Sequence, residues 1–287
     1  MASTKVTVPK VASRKVRDGG DALVMVTAYD APGARAASAA GIDMILVGDS
    51  VAMVVLGYDD TLQVTVDDIA HHTRAVHRAS PKCLIVGDLP WMSYHVSAEE
   101  TVRNAAALIR AGAQCVKLEG GRKRLPMVEA LIDAEIPVMG HIGLTPQSVH
   151  AMGGFKVQAR QAEAAMELIE DAKALQHAGC FGIVLEGIPV KVAQAITDAI
   201  DIPTIGIGAG PHCDGQVLVY HDVLGIEDRF VPKFVRKYAD LKSATIGALE
   251  QYARDVRDGS FPNDDESYHL SDEQSDAFGL YGSDPDQ

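Results

Sequence analysis

Aromatic residues make up only 5% of the 287-residue chain, with a single Trp, and cysteine occurs four times without a C-x-x-C pair. A disulfide-held scaffold needs far denser cysteine, so Cys83, Cys115, Cys180 and Cys213 are expected to be small buried residues in a reducing cytoplasm. No apolar run approaches the ~20 residues of a membrane-spanning helix. The basic N-terminus lacks the apolar segment of a secretory signal. Positive charge is scarce too: 26 Lys and Arg stand against 39 Asp and Glu, a formal charge of −13. Nucleic acid and anionic membranes are recognised by clustered cations, so both are excluded as partners. The imbalance is uneven. Nine carboxylates and no Lys or Arg fall in Asp258–Gln287, and removing that stretch leaves only −4 of the total.

What the chain does have is an alternation of short apolar runs with longer amphipathic ones. Strands are expected at Leu23–Ala28, Met44–Val47, Cys83–Val86, Cys115–Leu118, Ile136–Met139, Gly182–Leu185, Thr204–Ile207 and Val217–Tyr220. Most are continuously apolar, the pattern of parallel strands covered on both faces. Helical patterns lie between them, at Val66–Ala79, Ser97–Ala111, Gln161–Ala178 and Val190–Ile200. Ser97 and Glu100 form a capping-box pattern at one helix start, and Gly112 stops that helix. Eight strands with intervening helices predict an α/β fold, a closed (β/α)8 TIM barrel. The open doubly wound alternative lacks a G-x-G-x-x-G turn after the first strand. Lys233–Val256 is expected to add a helix to the outer ring. Residues 1–257 are thus expected to be one barrel domain, and 258–287 an acidic, mobile tail.

Chemistry in such barrels collects at the carboxyl ends of the strands. Five consecutive ends carry ionisable groups: Asp49 with Ser50, Asp88, Lys117 with Glu119, His141, and Glu186. Singly, Asp49 or Asp88 could be a helix cap. Jointly, three carboxylates converging on one mouth repel one another, and a divalent cation resolves the repulsion. Oxygen donors with water completing the shell suit Mg²⁺, and no His or Cys cluster speaks for zinc. Lys117 and Glu119 are two apart on one strand, so they share a side; an ammonium there can hold a substrate carboxylate or pair with Glu119. Glu186 follows the apolar run GIVL, and a partly desolvated carboxylate accepts protons readily. His141 could donate to a substrate oxygen or be a satisfied core residue. Gly206–Gly210, GIGAG, fits a phosphate or folate-like acid as well as a tight turn.

Several long segments add a resemblance: VTAYDAPGARAASAAGID, VGDSVAMVVLGYDDTLQVTVDDIAHHTRAV, GDLPWMSY, VKLEGG, GHIGLTPQ, VLEGIP and GIGAGPHCDGQVLVYHD. In this order they resemble the ketopantoate hydroxymethyltransferase family from about Val26 to Asp222, leaving the N-terminal twenty residues and the acidic tail outside. Departures are few: Asp60 stands where Thr is usual, Trp91 where Phe is common, and Ala159 where Gly is usual. The resemblance implies a cytoplasmic homodecameric enzyme that uses Mg²⁺. Its reaction would transfer a hydroxymethyl group from 5,10-methylenetetrahydrofolate to 3-methyl-2-oxobutanoate (α-ketoisovalerate), giving 2-dehydropantoate on the way to pantothenate and coenzyme A. It further implies Asp49, Asp88 and Glu119 as metal residues and Asp49, Ser50, Asp88, Lys117 and His141 around the 2-oxo acid. Glu186 would be the proton acceptor. Two competitors are a carbon–carbon lyase or phosphonate mutase, which would place a Cys or base on a mobile loop, and a non-catalytic metabolite-binding barrel.

Overall fold

The computed structural model describes residues 5–226, 229 and 231–277. Eight parallel strands close on themselves in sequence order: β1 (Leu23–Thr27), β2 (Met44–Val47), β3 (Leu84–Asp88), β4 (Cys115–Glu119), β5 (Val138–Gly143), β6 (Gly182–Glu186), β7 (Thr204–Ile207) and β8 (Gly215–Leu218). The TIM barrel expected from the alternation is therefore present. Its parity follows from the period-2 pleat. Leu23, Met25, Met44, Leu46, Leu84, Val86, Cys115 and Met139 fill the interior, whereas Ile45, Val47, Ile85, Val116, Leu118 and Val138 pack outward against the helices. Continuing the inward row along β4 from Cys115 brings Lys117 and Glu119 into the barrel, and along β5 from Met139 it brings His141. The register pairs Asp88 with Lys117 and Glu119 with His141 across neighbouring strands.

The helices start where side chains cap them. Asp30 accepts from Gly33 N–H to open Ala31–Ala39, and Ser97 accepts from Glu100 N–H to open Ala98–Ala111, which Gly112 ends in the left-handed region. The reciprocal capping box sits elsewhere, at Thr65 and Asp68 ahead of Val66–Arg78. Ala162–His177 and Val190–Ala199 match the expected helices within a residue.

Several boundaries differ from expectation. β5 runs on to Gly143, so His141 lies within a strand. β8 begins two residues earlier than its apolar run and ends at Leu218, because Tyr220 already starts the helix Tyr220–Leu224. Between β7 and β8 no helix intervenes; the chain returns in the short loop Gly208–Asp214. GIGAG is thus a turn that leads into no helix N-terminus. Gly210 (φ +82°) makes room: a Cβ there would come within 2.6 Å of Val190.

The N-terminal segment is part of the barrel. Val11 is fully buried with the interior cluster, among residues that open the strands, and Val6 N–H bonds Lys82 O ahead of β3. Lys15 reaches the β7–β8 loop in a buried ion pair with Asp214, 2.8 Å, and donates to Thr197 O at 2.8 Å. All four cysteines are free and buried.

Contacts divide the chain into two compact units, Met1–Ala239 and Asp240–Gln287. In the second, a helix spans Leu241–Asp258, eight residues later than the expected start, because Asp240 caps it through Ser243 N–H. Of the acidic tail, a 3-10 turn at Asp264–Glu266 and a helix at Asp272–Ala277 are described, and residues 278–287 lie outside the described residues. No described helix is long and apolar enough to cross a membrane.

Candidate active site

A cavity of about 540 Å³ opens at the carboxyl ends of the strands, and Asp49, Ser50, Lys117, Glu119, His141 and Glu186 line its floor. Asp88 completes the group behind them with no exposed surface. All seven residues expected from the sequence are therefore brought together. Its rim carries Tyr58, Phe155, Lys156, Lys233 and Phe234. The loop bearing Phe155 and Lys156 is tied to the end of β6 by Gln158 N–H donating to Gly187 O at 2.9 Å.

The charges interlock. Lys117 Nζ lies 2.9 Å from Asp88 Oδ1, 3.9 Å from Glu119 Oε1 and 3.3 Å from His141 Nδ1. The other ring nitrogen, His141 Nε2, is 3.2 Å from Glu186 Oε2. Asp49 N–H donates to Asp88 Oδ2 at 3.0 Å, and the Ser50 hydroxyl is 2.8 Å from Tyr29 OH. Burial and the negative charges of Asp88 and Glu119 push Asp49 well above the usual carboxylate range. Burial also raises Asp88, against the pull of Lys117. For Lys117, burial opposes the charged form, but Asp88, Glu119 and Asp49 outweigh it, so the ammonium persists. Burial and Lys117 work against protonation of His141, yet the carboxylates of Glu119 and Glu186 raise it to about 9. The attraction there is one of charge rather than of aligned hydrogen bonds, since His141 Nε2 and Glu119 Oε1 have no hydrogen-bond partner. Glu119 in turn is held low: burial raises it, and His141, Lys117 and Gln147 N–H prevail.

Two residues that the sequence did not single out complete the floor. Gln147, on the turn after β5, donates from Nε2 to Asp49 Oδ2 at 2.9 Å and to Leu89 O at 3.0 Å, and from its backbone N–H to Glu119 Oε2 at 3.1 Å. Tyr94 OH donates to Gln147 Oε1 at 2.6 Å and accepts from Glu119 N–H at 3.1 Å. Both lie on loops, where no periodicity marks them; only their places within GDLPWMSY and GHIGLTPQ could have drawn notice.

The donor set fits a hard dication in chemistry. Glu119 Oε1 is a buried carboxylate oxygen that accepts no hydrogen bond, Asp88 Oδ1 is answered by the Lys117 ammonium 2.9 Å away, and Asp49 is destabilised by burial and by the charges beside it. In spacing the site is open: among the described residues, no three His, Cys, Asp or Glu side chains close into a metal-holding group as they stand. Carboxylate oxygens of this kind are donors that Mg²⁺ takes, with water or substrate oxygens in the rest of its shell. No cysteine lines the cavity among the described residues.

Comparisons with known proteins bear on the family and the fold. A sequence model of the ketopantoate hydroxymethyltransferase family matches residues 5–264, so the likeness includes the N-terminal segment and reaches well past Asp222, further than the motifs alone reach. The chain is 55% identical over 269 residues to 3-methyl-2-oxobutanoate hydroxymethyltransferase of Syntrophobacter fumaroxidans, covering 93% of this chain and 94% of that protein. It is 54% identical over 260 residues to the protein of the same name from Ignicoccus hospitalis, covering 91% and 98%. Among solved structures, 2,3-dimethylmalate lyase, of the PEP mutase/isocitrate lyase superfamily, aligns with a TM-score of 0.58 at 18% identity, covering 96% of this chain and 99% of that one. Phosphonopyruvate hydrolase aligns with a TM-score of 0.56 at 15% identity, covering 97% and 96%. At those identities the likeness is one of fold alone.

Proposed function

The chain belongs to the ketopantoate hydroxymethyltransferase family, and from that premise we propose that it transfers a hydroxymethyl group from 5,10-methylenetetrahydrofolate to 3-methyl-2-oxobutanoate, giving 2-dehydropantoate for pantothenate synthesis. The observation that supports this reading most directly is the linkage of Glu186 through His141 to the buried Lys117–Asp88–Glu119 group on the floor of one cavity. Such a floor can hold a small acid and take a proton from it.

Overall, C3 of the 2-oxo acid loses a proton and gains a one-carbon unit. The donor's bonds to that carbon break, and water supplies the hydroxyl oxygen. Lys117 and the Ser50 hydroxyl bind the substrate carboxylate, the ammonium contributing charge and the hydroxyl a direction set by Tyr29. Glu186, on the cavity wall with its side chain 15% exposed, receives the C3 proton, a role generally contributing 10²- to 10⁴-fold. His141 orients that carboxylate. Asp49, Asp88 and Glu119 would hold Mg²⁺, whose chemistry there would be polarisation of the 2-oxo group, making C3 more acidic. The flat pterin of the donor finds Tyr58, Phe155 and Phe234 at the rim, and its acidic tail finds Lys156 and Lys233. A cytoplasmic homodecamer is part of the same reading, carried by the family resemblance.

The test is direct. Purified protein is incubated with α-ketoisovalerate and methylenetetrahydrofolate, with Mg²⁺ or with excess chelator, and the products are read by NMR. Ketopantoate formed only with the cation is the expected result; no product under either condition overturns the reading.

A further inference from the structure

The hydrogen-bond directions around Gln147 can be worked out without seeing a hydrogen, because two of its contacts involve backbone groups of fixed polarity. Glu119 N–H can only donate, so Tyr94 Oη accepts from it and spends its single hydrogen on Gln147 Oε1. Leu89 C=O can only accept, so the Gln147 atom facing it is the amide nitrogen. Both assignments agree, and they leave the second N–H of that nitrogen for Asp49 Oδ2. Gln147 N–H meanwhile occupies Glu119 Oε2. Every polar atom of the Tyr94 and Gln147 side chains is used, in a site where the two residues are 1% and 4% exposed.

The same accounting sorts the carboxylate oxygens. Asp49 Oδ2, Asp88 Oδ2 and Glu119 Oε2 each accept from the framework, whereas Asp88 Oδ1 faces the Lys117 ammonium at 2.9 Å and Glu119 Oε1 accepts no hydrogen bond. Asp49 and Glu119 therefore each tie one oxygen to Gln147, while Asp88 ties one to Asp49 N–H and holds the other 2.9 Å from the Lys117 ammonium. Gln147 makes two of the three ties itself, bridging loops that follow β2 and β3 to the end of β4. We propose that Tyr94 and Gln147 form a positioning relay that fixes which oxygens of Asp49 and Glu119 are presented to a divalent cation. The relay rests on the metal-dependent reading above, and acts through the two carboxylates without touching substrate.

The relay makes an ordered prediction. Gln147→Glu sets a carboxylate against two acceptors, Asp49 Oδ2 and Leu89 O, and is expected to weaken the cation most. Gln147→Met keeps the length but removes the donor. Tyr94→Phe removes one oxygen and frees the amide to turn. Groups that orient metal ligands typically contribute 10- to 100-fold in affinity, so the two milder variants should each lose about tenfold. Because they act in series, the double variant should lose no more than Gln147→Met alone.

The experiment titrates purified wild type and variants with Mn²⁺, an oxygen-seeking stand-in for Mg²⁺, and counts free ion by electron paramagnetic resonance, with thermal unfolding run alongside. Weaker Mn²⁺ binding by folded Tyr94→Phe and Gln147→Met, without additivity, supports the relay. Unchanged affinity in both, or losses that add, overturns it; should Gln147→Glu not fold, these two variants decide alone. Wild type that binds no Mn²⁺ would instead sink the metal-dependent reading, and so is told apart from failure of the relay.

Discussion

His141 stands between two carboxylates of different duty: its Nε2 lies 3.2 Å from Glu186 Oε2 and its Nδ1 3.5 Å from Glu119 Oε1. One imidazole thereby links the proposed base on β6 to the proposed cation ligand on β4. β5, which carries it, lies between those strands in the barrel.

Glu186→Gln preserves the shape of the proposed base and removes its proton affinity. The variant should bind 3-methyl-2-oxobutanoate and Mg²⁺ within about threefold of wild type, while exchange of the C3 deuterium into water falls by 10²-fold or more. NMR of deuterated substrate measures the exchange. Wild-type exchange in this variant would take the role away from Glu186.

Gly143 ends β5 at φ +98°, and a Cβ there would run into the Glu186 carbonyl oxygen, which accepts from Leu144 N–H at 2.8 Å. Gly143→Ala must therefore push the β6 end aside and displace Glu186. A loss of about tenfold or more in kcat is expected, with about 1–3 kcal/mol of stability lost to backbone strain. Turnover and urea unfolding on one preparation check both.

Ala159 occupies the left-handed region at φ +51°. That conformation costs a non-glycine residue about 1–2 kcal/mol, while Gly adds about 0.4–1 kcal/mol of unfolded-state entropy. Ala159→Gly should on balance stabilise by about 0.5 kcal/mol. A clear drop in the urea midpoint would contradict the strain argument.

Lys15 and Asp214 are 3% and 1% exposed and join the N-terminal segment to the β7–β8 loop. Removing one partner leaves the other charge buried, a loss of about 3–5 kcal/mol. Lys15→Met should show it in chemical unfolding, and adding Asp214→Asn should restore part. If the double variant is no better than the single, the ion pair is not the source.

His95 illustrates a pH effect outside the cavity. Burial and the nearby Arg124 guanidinium depress it to about 4, against a weaker opposing pull from Glu119. Its unfolded value is about 6.5, so between about 4 and 6.5 the unfolded chain binds the extra proton. Stability tied to neutral His95 is present in full above about 6.5 and is lost as pH falls through about 4. Wild type should therefore lose stability more steeply than His95→Gln on acidification over that window, as followed by urea unfolding. Parallel curves would refute the assignment.

The sequence alone determined the fold class, since continuous apolar runs of strand length alternating with helices admit few architectures. It also determined which residues share a side, as with Lys117 and Glu119, because the pleat has a period of two. The long family-like segments named the family. Tertiary structure decided what period two cannot: that the shared side is the interior, because closure of the barrel and the register Asp88–Lys117 and Glu119–His141 select one face. It alone joined β7 to β8 through a glycine loop with no helix between them and drew the N-terminal segment into the barrel. Above all, it brought Tyr94 and Gln147, 53 residues apart on loops without periodicity, within one hydrogen bond of each other. A residue whose partners come from three other strand ends leaves no local trace in a sequence; only the closed barrel makes those ends neighbours.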